Sequence, residues 1–158
     1  MARFVAVLLL LVLPAVALAA RPARQPMLLQ GKVYCDNCRA GFETPLSTYI
    51  PGAKVRVECK DTKTMQLLYS QETTTDSTGS YKMVVSEDHQ DQTCDALLVS
   101  SPDRACSTPA AGRDRARVIL TRNNGMASDN RYANAMGFMK TEAVDGCAKV
   151  LQMYQDFE

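Results

Sequence analysis

The chain has 158 residues, with 18 Lys and Arg against 17 Asp and Glu and a formal net charge of +1. Near-neutrality removes the basic footprint that nucleic acid or an anionic membrane surface requires. Trp is absent and Phe occurs only 4 times, so a core has to be built mainly from Val, Leu, Met and Tyr.

Residues 1–20 place Arg3 before an apolar run from Phe4 to Leu13, followed by Pro14 and then Ala17-Leu18-Ala19. This order predicts a signal peptide over 1–19, cut after Ala19 or Ala20. A run interrupted at Pro14 is short for a spanning anchor, and no later stretch is apolar enough to cross a bilayer. The expectation is a secreted, extracellular chain without a membrane span after cleavage. Residues 20–27, with Pro22 and Pro26, read as an extended lead-in, and residues 28–158 as one β domain, expected to be a monomer.

Leu28 to Cys35 is the first predicted strand. Ile50-Pro51-Gly52 carries the Pro and Gly of a type II turn and leads into the clearest strand, in which Ala53, Val55, Val57 and Cys59 alternate with Lys54, Arg56, Glu58 and Lys60. One face is therefore buried and Cys59 points inward. Met65 to Thr75 predicts a third strand. Asp76 to Gly79 has the chemistry of a hairpin turn, with Gly79 at a positive φ, which would return a fourth strand, Tyr81 to Ser86, beside the third. Cys94 to Ser100 is a fifth, with Ala96 and Leu98 alternating with Leu97 and Val99 and hence expected to be buried on both faces. Arg117 to Thr121 is a sixth and Tyr132 to Met139 a weak seventh. Between Glu142 and Tyr154 the spacing of Cys147, Val150, Leu151 and Tyr154 predicts a short C-terminal helix. Seven short strands separated by turn signals predict an all-β fold, an antiparallel Greek-key sandwich or barrel. The run Gly31-x-Val33, Pro51-Gly52-Ala53-x-Val55-x-Val57 and Thr75-Asp76-x-x-Gly79-x-Tyr81 resembles transthyretin-like and immunoglobulin-like sandwiches, which implies fold and not function.

All 6 cysteines lie beyond the predicted signal. An even number in a secreted chain predicts a disulfide framework whose connectivity sequence alone leaves open. An inward Cys59 and a Cys94 opening another strand are compatible with a bridge between facing strands. Two sharper readings of Cys35-x-x-Cys38 have less support. A redox pair needs the first thiol at a helix N-terminus, and Asp36, Asn37, Arg39 and Gly41 do not open a helix. Zinc needs two such pairs or matching histidines, and the only histidine is His89.

His89, within Ser86-Glu87-Asp88-His89-Gln90-Asp91, reads as part of a solvated loop rather than a calcium or acid–base site. No Gly-x-Ser-x-Gly stretch strains a serine for attack. No catalytic constellation, cofactor site or metal site is predicted. Arg113-Asp114-Arg115-Ala116-Arg117, with Arg122 and Arg131 nearby, is the one local basic excess. It reads either as an ordinary solvated strand entrance or as a contact patch (Arg113, Arg115, Arg117) for an acidic partner. Ser101-Pro102-Asp103-Arg104-Ala105-Cys106 offers Arg104 as a trypsin-type specificity residue braced by Pro102 and Cys106, an alternative reading as a serine protease inhibitor.

Gln30-Gly31-Lys32-Val33-Tyr34-Cys35-Asp36-Asn37-Cys38-Arg39 resembles the signature of the Pollen Ole e I family, Glu/Gln/Thr-Gly-x-Val-Tyr-Cys-Asp-x-Cys-Arg, with Gln30, Gly31, Val33, Tyr34, Cys35, Asp36, Cys38 and Arg39 at its constrained positions. Ala40 to Thr44, Ser101-Pro102-Asp103, Arg113 to Ala116, Leu120 to Asn123 and Tyr132-Ala133-Asn134 are similar to the grass members in order. The resemblance implies three disulfides, Cys35 with Cys106, Cys38 with Cys147, and Cys59 with Cys94. It also implies a non-enzymatic secreted pollen or anther protein and an allergen. Such a protein would act as a ligand or wall-associated factor in pollen hydration, germination or pollen tube growth. The implied partner is a receptor kinase with leucine-rich repeats, a wall polysaccharide such as pectin is the acidic partner that the arginine strip would take, and a purely structural wall or coat protein is the runner-up. The chain has no Asn-x-Ser/Thr sequon, since Asn124-Gly125-Met126 has Met where some members have Thr, and in this it departs from the glycosylated members.

Overall fold

The computed structural model describes residues 25–155, and the predicted signal peptide over 1–19 lies outside them. Ten strands and one helix follow in order: β1 (Met27–Asp36), β2 (Thr48–Tyr49), β3 (Lys54–Asp61), β4 (Leu67–Thr74), β5 (Ser80–Val85), β6 (Gln92–Ser100), β7 (Thr108–Pro109), β8 (Arg115–Val118), β9 (Asn130–Tyr132), β10 (Met136–Met139) and α1 (Cys147–Gln155). Met27, placed in the lead-in by sequence, is fully buried and opens β1.

Two sheets form a sandwich. One has the order β4-β3-β6-β8; the other is built around β1. The N-terminal half of β1 is flanked by β5 and β9 and its C-terminal half by β2 and β10. Both faces of the sandwich supply one core. Leu29, Val33, Tyr81, Met83, Val85, Met136 and Phe138 meet Val55, Val57, Cys59, Cys94, Ala96, Ala116 and Val118. In β3 the predicted alternation is present, with Val55, Val57 and Cys59 all at 0 % exposure.

Several details differ from the sequence reading. The β1 sheet is mixed, because β9 and β10 run parallel to β1. The weak seventh strand is split into β9 and β10, and the two-residue β2 and β7 carry too little pattern to be foreseen. Asp76 does start a turn, its carbonyl accepting from Gly79 N at 3.0 Å, and Gly79 has φ 71°. That turn does not close a hairpin: β4 pairs with β3, whereas β5 pairs with β1 in the other sheet. A Cβ at Gly79 would stand 2.5 Å from Tyr49 Cβ and 3.0 Å from Val33 O, so the chain passes hard against β1 and β2 as it changes layer. In β6 only Cys94 and Ala96 are fully buried, while Val99 is 38 % exposed, so that strand has one wet face after all. The sixth strand lies at Arg115–Val118 rather than Arg117 to Thr121, and the helix starts at Cys147 rather than Glu142.

Candidate functional site

The signature segment forms the C-terminal half of β1 and the turn beyond it, and its side chains are committed to the scaffold. Gly31 lies under the Tyr81 ring, and Gly137 under Tyr34. Cβ atoms at the two glycines would come within 2.4 Å of Tyr81 Oη and 2.6 Å of Tyr34 Cζ, so only glycine allows either ring to lie flat on the neighbouring strand. Val33 and Tyr34 are buried. Burial pushes the Tyr34 phenol up, against the opposing pull of the nearby Arg113 cation.

Asp36 is fully buried, and its carboxylate closes the turn that follows. Its Oδ1 accepts from Cys38 N at 3.2 Å and Oδ2 from Gly41 N at 2.7 Å, while its carbonyl accepts from Lys140 N at 3.1 Å. Asn37 donates to Leu46 O at 2.7 Å, and its own carbonyl accepts from Val144 N at 3.0 Å. Arg39 adopts φ 55°, and its guanidinium donates to the carbonyls of Lys140 and Thr141 at 2.5 and 3.2 Å. Apart from the Asp36 Oδ1 bond that closes the turn itself, these side chains tie β1 to the 140–144 segment or to the 40–48 loop. Gln30 does the same further back, its carbonyl accepting from Ala133 N at 2.8 Å.

Cys35 is bridged to Cys106, Cys38 to Cys147 and Cys59 to Cys94. No cysteine is free among the described residues. Cys35 and Cys38 belong to different bridges, so they do not form the local dithiol that redox exchange uses. Cys59 and Cys94 are directly opposite each other in the β3–β6 ladder.

His89 is the largest departure from the sequence reading. It is buried, 3 % exposed, with its backbone N donating to Leu120 O at 2.8 Å, Nδ1 3.0 Å from Gln92 Oε1 and its ring 4.5 Å from that of Tyr69. Its side-chain nitrogens lie near the Cys59 and Cys94 sulfurs. Both sulfurs are bonded to each other, which removes the thiolates that zinc would need. Four polar neighbours, Glu87, Asp88, Gln90 and Asp91, concealed this burial, and no periodicity around His89 signals it.

The basic strip divides. Arg117 is paired with Asp95 at 2.6 Å and Arg115 faces Asp114 at 3.9 Å. Arg131 is buried, 2 % exposed, its guanidinium donating to Thr121 O at 2.8 Å, and it cannot contribute to a surface patch. Arg113 is exposed, donates to Gly41 O at 3.2 Å, and borders a surface cavity with Tyr34 and Glu43.

Arg104 is exposed at the tip of a tight turn. Asp103 O accepts from Cys106 N at 3.0 Å, Asp103 Oδ1 from Ala105 N at 2.9 Å, and Arg104 O from the Ser107 hydroxyl at 3.2 Å. A turned backbone whose carbonyls are already engaged lacks the extended form that pairs with a protease cleft.

The residues that carry the signature thus describe a scaffold, and similarity extends across the described chain. A family model described as "Pollen protein Ole e 1 like" matches residues 25–155. Protein DOWNSTREAM OF FLC from Arabidopsis thaliana is 48 % identical over 150 residues, covering 95 % of this chain and 90 % of the relative. Pollen-specific protein C13 from Zea mays is 42 % identical over 146 residues, 92 % of this chain and 86 % of the relative. Among solved structures, the major plantain pollen allergen Pla l 1 superposes with a TM-score of 0.68 at 28 % identity, over 77 % of this chain and 99 % of that one. The chain belongs to the Ole e 1-like family of pollen proteins.

Proposed function

We propose that this chain is a secreted pollen or anther protein and allergen that works without catalysis, as an extracellular ligand or wall-associated factor in pollen hydration, germination or tube growth. The observation that carries this reading is the fate of the signature. Its aspartate and arginine tie the end of β1 to Gly41 and to the Lys140 carbonyl, its tyrosine lies on Gly137 of β10, and its cysteines bridge to Cys106 and Cys147, as expected of a family whose common property is a stapled scaffold. Functional differences between members then reside in exposed side chains around that scaffold. Three buried disulfides suit an oxidising, extracellular setting. No helix among the described residues is long and apolar enough to cross a membrane.

The test is a pull-down of pollen-tube and pistil membrane proteins with the disulfide-intact chain, with its reduced and alkylated form as control. Saturable capture of a receptor ectodomain, such as one with leucine-rich repeats, by the intact form alone supports a folded signalling ligand. Capture of wall material alone supports the wall-associated form. Equal capture by both forms overturns a role that depends on the fold.

A further inference from the structure

The outer face of the β1–β5–β9 region carries charge and aromatic surface that the scaffold does not use. Gln30 is opposite Lys82 and Lys32 opposite Ser80 in the β1–β5 ladder, and Tyr132 is level with Gln30 in the β1–β9 ladder. Residues level across a sheet share a face, and alternate residues of one strand do too, so Lys32, Lys82, Ser80 and Tyr132 all project from the same side. Tyr132 is 72 % exposed. The Lys32 ammonium sits 4.5 Å from the Tyr49 ring centroid. Neither lysine has a carboxylate within ion-pair distance among the described residues, although most other cations of the β surface do. They are diagonal neighbours, roughly 7–8 Å apart by ladder geometry, with the Asp76 carboxylate within electrostatic reach of Lys82 but not paired to it.

These residues line a surface cavity of about 350 Å³, at the small end of the sizes that hold small ligands. Its floor includes Gly31 and Tyr81. The Tyr81 hydroxyl is buried, has no hydrogen-bond partner among the described residues, and lies against Gly31. A second cavity, of about 400 Å³, shares Ala135 with the first and is bordered by Arg113 and by Glu43, whose carboxylate accepts from Tyr49 Oη at 2.5 Å. Cations are therefore spaced along a groove that crosses the Tyr132–Ala135 strap instead of being gathered at one point.

We propose that this groove binds an acidic polysaccharide segment, one bearing a carboxylate on each sugar ring. The Tyr132 ring offers a platform for the C–H face of a pyranose, Lys32 and Lys82 take one carboxylate, Arg113 takes another beyond the strap, and the Ser80 hydroxyl meets a ring hydroxyl. A peptide fits this surface less well: β1 is hydrogen-bonded on both flanks here, by β5 and β9, and has no free edge for strand addition. Over β1 recognition goes through side chains, and the set present matches a hydroxylated ring with a charge. This inference deepens the wall-associated form of the reading above and rests on it.

The test is calorimetric titration of the full, disulfide-intact chain with a short oligogalacturonate, its methyl-esterified counterpart and an oligoglutamate of equal charge. The expected result is saturable binding of the oligogalacturonate alone. It should weaken about tenfold in Lys82→Glu, as for loss of one charge-assisted hydrogen bond, and comparably in Tyr132→Ala. Both side chains are exposed, and unchanged near-ultraviolet circular dichroism verifies that the variants fold. No heat and no amide shifts with the oligogalacturonate overturn the proposal, as does equal binding of oligoglutamate or an unchanged affinity in both variants. No pollen material enters this titration, so its failure removes the saccharide site while leaving the pull-down to decide the broader role.

Discussion

At Tyr81 a core side chain carries a polar atom that the fold leaves unpaired. Burial without a hydrogen-bond partner pushes its phenol well up from the ordinary range and leaves the hydroxyl uncompensated. A buried, unpaired hydroxyl costs about 1–3 kcal/mol. Tyr81→Phe keeps the ring over Gly31 and removes that cost, so thermal unfolding should move up by a few degrees, an increase of about 1 kcal/mol, while oligogalacturonate affinity stays unchanged. Gly31→Ala does the opposite. Its Cβ would meet Tyr81 Oη at 2.4 Å and Cζ at 2.5 Å, forcing a buried ring to move, and should cost about 1–3 kcal/mol in denaturant unfolding. The identity of these residues was legible, since both stand in recognisable patterns, but the contact was not: it depends on which residue of β5 lies opposite Gly31, and register has no local signal. His89 and Arg131 show the same limit, because polar neighbours on either side made each look solvated. At Arg104 the carbonyl is held by Ser107 within a turn. Micromolar chain should therefore leave trypsin activity unchanged, and a stoichiometric loss of activity would restore the inhibitor reading.

Elements were legible where alternation was long. In β3 burial alternates from Lys54 to Lys60 and the strand is where the pattern places it; the two-residue β2 exists only because β1 offers it a partner, and β7 because β10 does. The Asp76 turn lies between these cases. Asp76 Oδ1 accepts from the Thr78 hydroxyl at 2.6 Å, Thr78 N at 2.8 Å and Ser80 N at 3.1 Å, bonds made within four residues and so readable as a turn. The same turn serves a hairpin or a change of layer, and what selects the layer is the close passage of Gly79 against Tyr49 and Val33, which lie far off in sequence. The Thr78 hydroxyl first, with the Thr78 and Ser80 amides, holds the Asp76 carboxyl below the usual carboxylate range. Backbone amides of Thr64 and Lys63 do the same for Asp61. A carboxyl whose pKa is lower folded than unfolded adds stability above its unfolded pKa of about 4, and that stability is lost as pH falls through the folded value. Melting temperature should therefore decline below about pH 4, and Asp76→Asn should flatten that decline while lowering the melting temperature at pH 7. An unchanged pH profile in the variant would place the acid sensitivity elsewhere.

Across the whole molecule, β1 is the hub: four strands pair with it, and two of the three bridges leave its C-terminal end. An antiparallel sandwich was legible from strand count and turns, whereas the parallel seating of β9 and β10 on β1 was not, because parallel pairing leaves no turn signal between partners. The bridges span 109, 71 and 35 residues, and each is worth about 4–5 kcal/mol by loop closure alone, most for the longest. The structure reverses the order of the first two. Cys38–Cys147 ties down α1, which buries only Cys147 and Val150, whereas Cys35–Cys106 anchors β1 itself, with both sulfurs in the common core. When Cys38 and Cys147 are both changed to Ala, α1 should be released while the sandwich persists, and the freedom regained by the folded state offsets part of the entropy regained by the unfolded one. Calorimetry should then show a smaller fall in melting temperature than for Cys35→Ala with Cys106→Ala, together with rapid tryptic cleavage at Lys149. A larger fall for the 109-residue bridge, with Lys149 still protected, would mean that α1 is an integral part of the cooperative fold.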